Sequence, residues 1–114
     1  MGETTMKVSE LVEKLGVKVL NKMRDSEITG VYVSDVVSDI VEGASPGDLI
    51  VTAQPHKTLI ATANLVGASA ILLVNGRKPD EGVIELADRA RLTMLATDLD
   101  SWGAAVRLMQ AGFH

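Results

Sequence analysis

The stretch from Asp48 to Gly76 constrains the chain most. Ala70-Ile71-Leu72-Leu73-Val74 is apolar at every position, which suits a strand buried on both faces of a parallel sheet. Leu49-Ile50-Val51-Thr52-Ala53 is similarly rich in β-formers and follows Ser45-Pro46-Gly47-Asp48, a run of turn residues. Between the two, Gln54-Pro55 breaks the first strand, and Leu59, Ile60, Ala63 and Val66 recur at helical spacing before Gly67. Two buried parallel strands joined by a helix form a right-handed crossover. That unit predicts an α/β fold.

The flanking segments extend the pattern. Ser9 is placed to cap a short helix with Leu11, Val12 and Leu15 on one face and Gly16 at its end. Val17–Leu20 reads as a first strand, and Asn21–Glu27 as a loop. Ile28–Val33 reads as a strand, after which Ser34 or Asp35 would cap a helix carrying Val36, Val37, Ile40 and Val41. Asp80–Arg91 is the clearest amphipathic helix, with Val83, Ile84, Ala87 and Ala90 in its stripe; its acids sit early and its arginines late, as the helix dipole favours. Thr93–Thr97 is a further buried strand. Asp98 or Asp100 would cap a last helix with Leu99, Trp102, Ala105, Val106 and Met109. From Ile28 onward, strand and helix alternate. The expected fold is a single three-layer α/β domain over residues 1–114, with a mostly parallel four- to five-stranded sheet flanked by helices. Within it, 1–27 form an amino-terminal helix and lead-in, and 28–110 the strand–helix repeats.

Composition narrows the function classes. A formal charge of −4 argues against a duplex-binding face, and one Trp, one Tyr and one Phe make no stacking platform for single strands, so no nucleic-acid partner is expected. No apolar run approaches the ~20 residues of a membrane span, and Met1–Met6 shows no signal-peptide pattern. The absence of cysteine removes thiolate nucleophiles and Cys-type metal sites, and these features together lead to the expectation of a cytoplasmic protein without a membrane partner.

In a parallel sheet, ligands gather beyond the carboxyl ends of the strands. The candidate ligand-binding residues at those ends are Gln54, His56, Lys57, Thr58, Asn75, Gly76, Arg77, Lys78, Thr97 and Asp98. His56, Lys57, Arg77 and Lys78 concentrate positive charge on an acidic chain, and helix N-termini nearby offer N–H groups, so a phosphate or carboxylate could be held there. The plainer alternative is that these are solvated loop residues. His56 and His114 are the only histidines, and neither has a nucleophile aimed at it by sequence. No catalytic residue, cofactor or metal cluster is expected. Trp102 and the Met109–Phe113 segment form either core or an apolar patch that a symmetric dimer would cover.

The order of elements resembles a family. Lys7–Leu15 followed by Val17–Leu20 resembles the start of the HPr kinase/phosphorylase amino-terminal domain. The ordered set Thr29–Asp35, Gly47–Thr52, Gly67–Leu73 and Pro79-Asp80 resembles the DRTGG domain, which is related to it in fold. At the places of the family's naming residues this chain reads His56-Lys57 and Val74-Asn75-Gly76. In relatives the domain is fused to CBS pairs, to a family II-type pyrophosphatase or to phosphotransacetylase. The resemblance implies a non-catalytic regulatory module, a homodimer, with an adenine nucleotide or another small anion as ligand and a protein as a further partner. Two other classes stay open. One is a small enzyme acting on a phosphorylated metabolite through His56, Lys57 and Asp98; the other is a purely structural dimerisation subunit.

Overall fold

A computed structural model describes residues 5–113; His114 and the first four residues lie outside it, and with them most of the segment read for a signal peptide. Among the described residues, seven strands and five helices follow in the order β1 (Met6–Lys7), α1 (Val8–Leu15), β2 (Lys18–Val19), β3 (Glu27–Ile28), β4 (Gly30–Val33), α2 (Val37–Gly43), β5 (Asp48–Thr52), α3 (Lys57–Val66), β6 (Ala70–Leu73), α4 (Glu81–Arg89), β7 (Thr93–Ala96) and α5 (Ser101–Gln110).

The main sheet has five strands in the order β2-β7-β6-β5-β4. Strands β4 to β7 are parallel and in matched register, so that Val51, Leu72 and Leu95 lie side by side, as do Ile50, Ile71 and Met94. Each crossover moves one strand in the same direction. Right-handed connections of that kind put α2, α3 and α4 on one face. There Ile40, Leu59, Ile60, Ala63, Val83 and Ala87 cover Ile50, Ile71, Leu73 and Met94. On the opposite face Val8 and Leu11 of α1 and Ala104 and Leu108 of α5, with Phe113, cover Leu49, Val51, Leu72 and Leu95. The two clusters are the reason β5 and β6 carry no exposed position: every residue of both strands is buried. The expected three-layer α/β architecture is observed.

Several local expectations are corrected. Ser9 lies inside α1, whose N-cap is Lys7, and its N–H and hydroxyl both donate to Asp25 at 2.9 Å. Neither Ser34 nor Asp35 is the N-cap of α2; that position is Val36. Ser34 Oγ instead accepts from the Val36 N–H at 3.0 Å, and Asp35 reaches back to β5, accepting from the Thr52 hydroxyl and the Ala53 N–H at 2.9 and 2.8 Å. Polar residues before a helix serve cap and turn equally well, so composition could not choose. The Ile28–Val33 strand is broken at Thr29: β3 pairs antiparallel with β1, and β4 joins the main sheet. The α5 stripe is rotated. Ala104 and Leu108 face the sheet, while Trp102 is 77% and Met109 60% exposed. This helix is apolar on two sides, and the smaller one fits the space above β5 and β6.

Backbone and side-chain hydrogen bonds to Ser9 hold the Asp25 carboxyl below its ordinary value of 3.8, with Lys7 nearby adding to the effect. A depressed carboxyl contributes stability that is present above the ordinary value and lost as pH falls through the lowered one. The expected result of an NMR titration is an Asp25 midpoint below 3.8, moving back toward it in Ser9→Ala. An unshifted midpoint in the parent chain would show that the contact is not maintained in solution.

Candidate functional site

Past the carboxyl end of β6 the chain turns in two residues. Asn75 and Gly76 both have positive φ, 60° and 64°, and the Arg77 N–H donates to the Val74 carbonyl at 3.2 Å. That is a turn of the mirror-image type that Asn-Gly favours. The turn is fastened to the segment beyond β7, because Asn75 N–H donates to Leu99 O at 2.8 Å and Gly76 N–H to Thr97 O at 3.0 Å. The Thr97 hydroxyl accepts from the Leu99 N–H at 3.3 Å. Asp98 packs against Gly76; a β-carbon there would lie 3.1 Å from its Oδ1.

These two loops face the start of β2, the only antiparallel member of the main sheet, where Lys18 pairs with Ala96. Between them is a cavity of about 480 Å³. Small-molecule sites run roughly 300–1,000 Å³. Arg77, Lys78 and Lys18 bring positive charge to its wall, Asp98 adds a carboxylate, and Leu20, Ala96 and Leu99 make it partly apolar. The turn's own N–H groups are spent within the fold, so side chains must make any contact with an anion.

The structure divides the sequence candidates into two groups. Gly76, Arg77, Lys78, Thr97 and Asp98 line the cavity, and Asn75 shapes the turn behind them. Gln54, His56, Lys57 and Thr58 lie outside it, at the end of β5 and the start of α3, where His56 is the N-cap without a side-chain hydrogen bond. Lys57 reaches toward the next helix, its Nζ 3.3 Å from where a β-carbon on Gly82 would be. The two groups therefore sit over neighbouring strands and do not converge on a single cavity.

Sequence reasoning missed Lys18 and Leu20. The lead-in that carries them is anchored far along the chain: Asn21 Nδ2 donates to Leu92 O and its Oδ1 accepts from Met94 N–H, both at 2.8 Å. Arg24 N–H donates to the Thr93 hydroxyl at 2.7 Å, and that hydroxyl donates to Arg24 O at 3.2 Å. Only the polarity of Asn21 before an otherwise charged loop hinted at such a role.

Residues 10–111 match the family model of the DRTGG domain. The chain belongs to the DRTGG domain family. No curated protein matches it in sequence. Among solved structures, it is similar to the CBS and DRTGG domains of the regulatory region of Clostridium perfringens pyrophosphatase, complexed with its activator diadenosine tetraphosphate. The TM-score is 0.75 at 22% identity, over 90% of this chain and 46% of that one. The likeness is one of fold, and this DRTGG domain spans about half the length of that regulatory region. Among the described residues, no helix is long and apolar enough to cross a membrane, and no group of His, Asp and Glu could hold a metal ion.

Proposed function

We propose that this DRTGG domain is a non-catalytic regulatory module that binds a small anionic ligand of the adenine-nucleotide class. The observation that carries the reading is the cavity itself, where three cationic side chains meet an apolar wall beyond the carboxyl ends of β6 and β7. The solved relative whose regulatory region takes an adenine dinucleotide as activator lends it support. His56 lies outside the cavity lining, which favours binding over turnover. To regulate, the ligand must bind one state of the protein better than another.

Thermal unfolding with AMP, ADP, ATP, diadenosine tetraphosphate and inorganic phosphate tests the reading. A ligand at a hundred times its Kd stabilises by about 2.7 kcal/mol, and at roughly 4 °C per kcal/mol the midpoint rises by about 10 °C. The rise is expected for at least one nucleotide and lost in the Arg77→Ala, Lys78→Ala double variant. A flat response across the panel would remove the nucleotide reading and turn attention to protein partners.

Self-association belongs to the same proposal, with a second copy docking on the outer face of α5. Trp102 and Met109 stand two turns apart on that face, with Ala105 and Val106 between. Antiparallel packing about a twofold would set each Trp102 against the partner's Met109. Sedimentation equilibrium is expected to show a dimer that Trp102→Glu converts to a monomer. A parent chain that stays monomeric at high micromolar concentration would refute this part.

A further inference from the structure

The cavity holds three kinds of chemistry at once. Lys18, Arg77 and Lys78 set three cations against the single carboxylate of Asp98, a net of two positive charges on a chain whose formal total is −4. Such a local excess suits a dianion. A phosphomonoester carries about −1.5 to −2 at neutral pH, whereas a triphosphate exceeds the charge available. Asp98, held against Gly76, is an acceptor that phosphate would avoid but a sugar hydroxyl would seek, as carboxylates do in ribose recognition. Leu20, Ala96 and Leu99 offer apolar surface for a flat ring.

The third cation comes from a part of the chain otherwise remote from the loops. Strand β2 is two residues long and lies at the sheet edge, held there by its pairing with β7 and by Asn21. Lys18 is exposed, pairs with Ala96 and lines the cavity together with Arg77 and Lys78. We infer that Lys18 completes the site, and that the site takes a ribonucleoside phosphomonoester in preference to inorganic phosphate or a triphosphate. This rests on the reading of the cavity as a ligand site. It adds a residue and a ligand class to that reading, and it makes the amino-terminal lead-in part of the binding surface.

Calorimetric titration of the full chain with AMP, ATP, adenosine and inorganic phosphate tests it. AMP is expected to bind most tightly. Lys18→Gln and Arg77→Gln are each expected to raise its Kd by about tenfold or more, the loss of one charge-assisted hydrogen bond. Lys18→Arg keeps the charge and is expected to retain binding, which separates the role of the cation from damage to β2. If Arg77→Gln weakens AMP while Lys18→Gln binds as the parent does, the cavity stands and the assignment of Lys18 is overturned. ATP or inorganic phosphate binding as tightly as AMP would overturn the ligand class alone. No binding of any probe would bring down the cavity reading together with this one.

Discussion

Leu72→Ala is expected to lower the unfolding midpoint by about 10–20 °C, the largest effect of any single substitution considered. Leu72 is fully buried in β6, the middle strand of the sheet, between Val51 of β5 and Leu95 of β7. Its side chain faces the α1/α5 layer, in the cluster that includes Leu11, Ala104 and Leu108. Truncation removes apolar contact and leaves a cavity that strands paired on both sides cannot close. Leu→Ala at such sites costs about 2–5 kcal/mol, a large share of the roughly 5–15 kcal/mol that holds a domain together. At roughly 4 °C per kcal/mol for a chain near this size, the midpoint shift follows. Scanning calorimetry measures it directly. A loss under about 1 kcal/mol would mean that the α1/α5 layer collapses freely onto the sheet, contrary to tight packing there.

The second large effect is expected at Asn21. Its amide bonds both Leu92 O and Met94 N–H, and those groups belong to buried residues, Leu92 3% and Met94 0% exposed. Asn21→Leu keeps the bulk and leaves both without that partner. An unsatisfied buried backbone group costs about 1–3 kcal/mol, so destabilisation of at least that size is expected in denaturant unfolding. Asn21 also immediately follows Leu20, whose N–H donates to Met94 O at 2.9 Å. Hydrogen exchange over Val17–Arg24 is therefore expected to speed up selectively, and AMP binding to weaken as Lys18 loses its place. Equal exchange in variant and parent would show that the β2–β7 pairing alone holds the lead-in.

Both effects involve the same division between what is local and what is not. The continuous apolar runs of β5 and β6 could be buried only between two layers, so the parallel α/β architecture was legible from residues 48–76 alone. The helix expected over Asp80–Arg91 was legible for a similar reason, since its apolar stripe has one side, although it ends at Arg89 and Arg91 turns to a φ of 56°. Asp80, expected as the first helical residue, is its N-cap, accepting from Val83 N–H at 3.0 Å. Asp100 does the same for α5, with Gly103 N–H at 2.7 Å.

The site was legible by halves. Arg77, Lys78, Thr97 and Asp98 were found because strand ends in a parallel sheet are known places for ligands, and those positions could be counted along the chain. Lys18 and Leu20 were not, because β2 joins the sheet antiparallel at its far edge, a pairing between residues more than seventy positions apart. Nor could helical periodicity decide which apolar side of α5 meets the sheet. The sequence by itself determined the layers, the strand directions from β4 to β7 and the loops at their ends, since these follow from burial patterns within short segments. Only the tertiary structure decided the edge strand, the rotation of α5 and the membership of the cavity. Those depend on which distant segments pack together, a choice made by shape and by hydrogen bonds such as Asn21 to Leu92 and Met94 that no local pattern records.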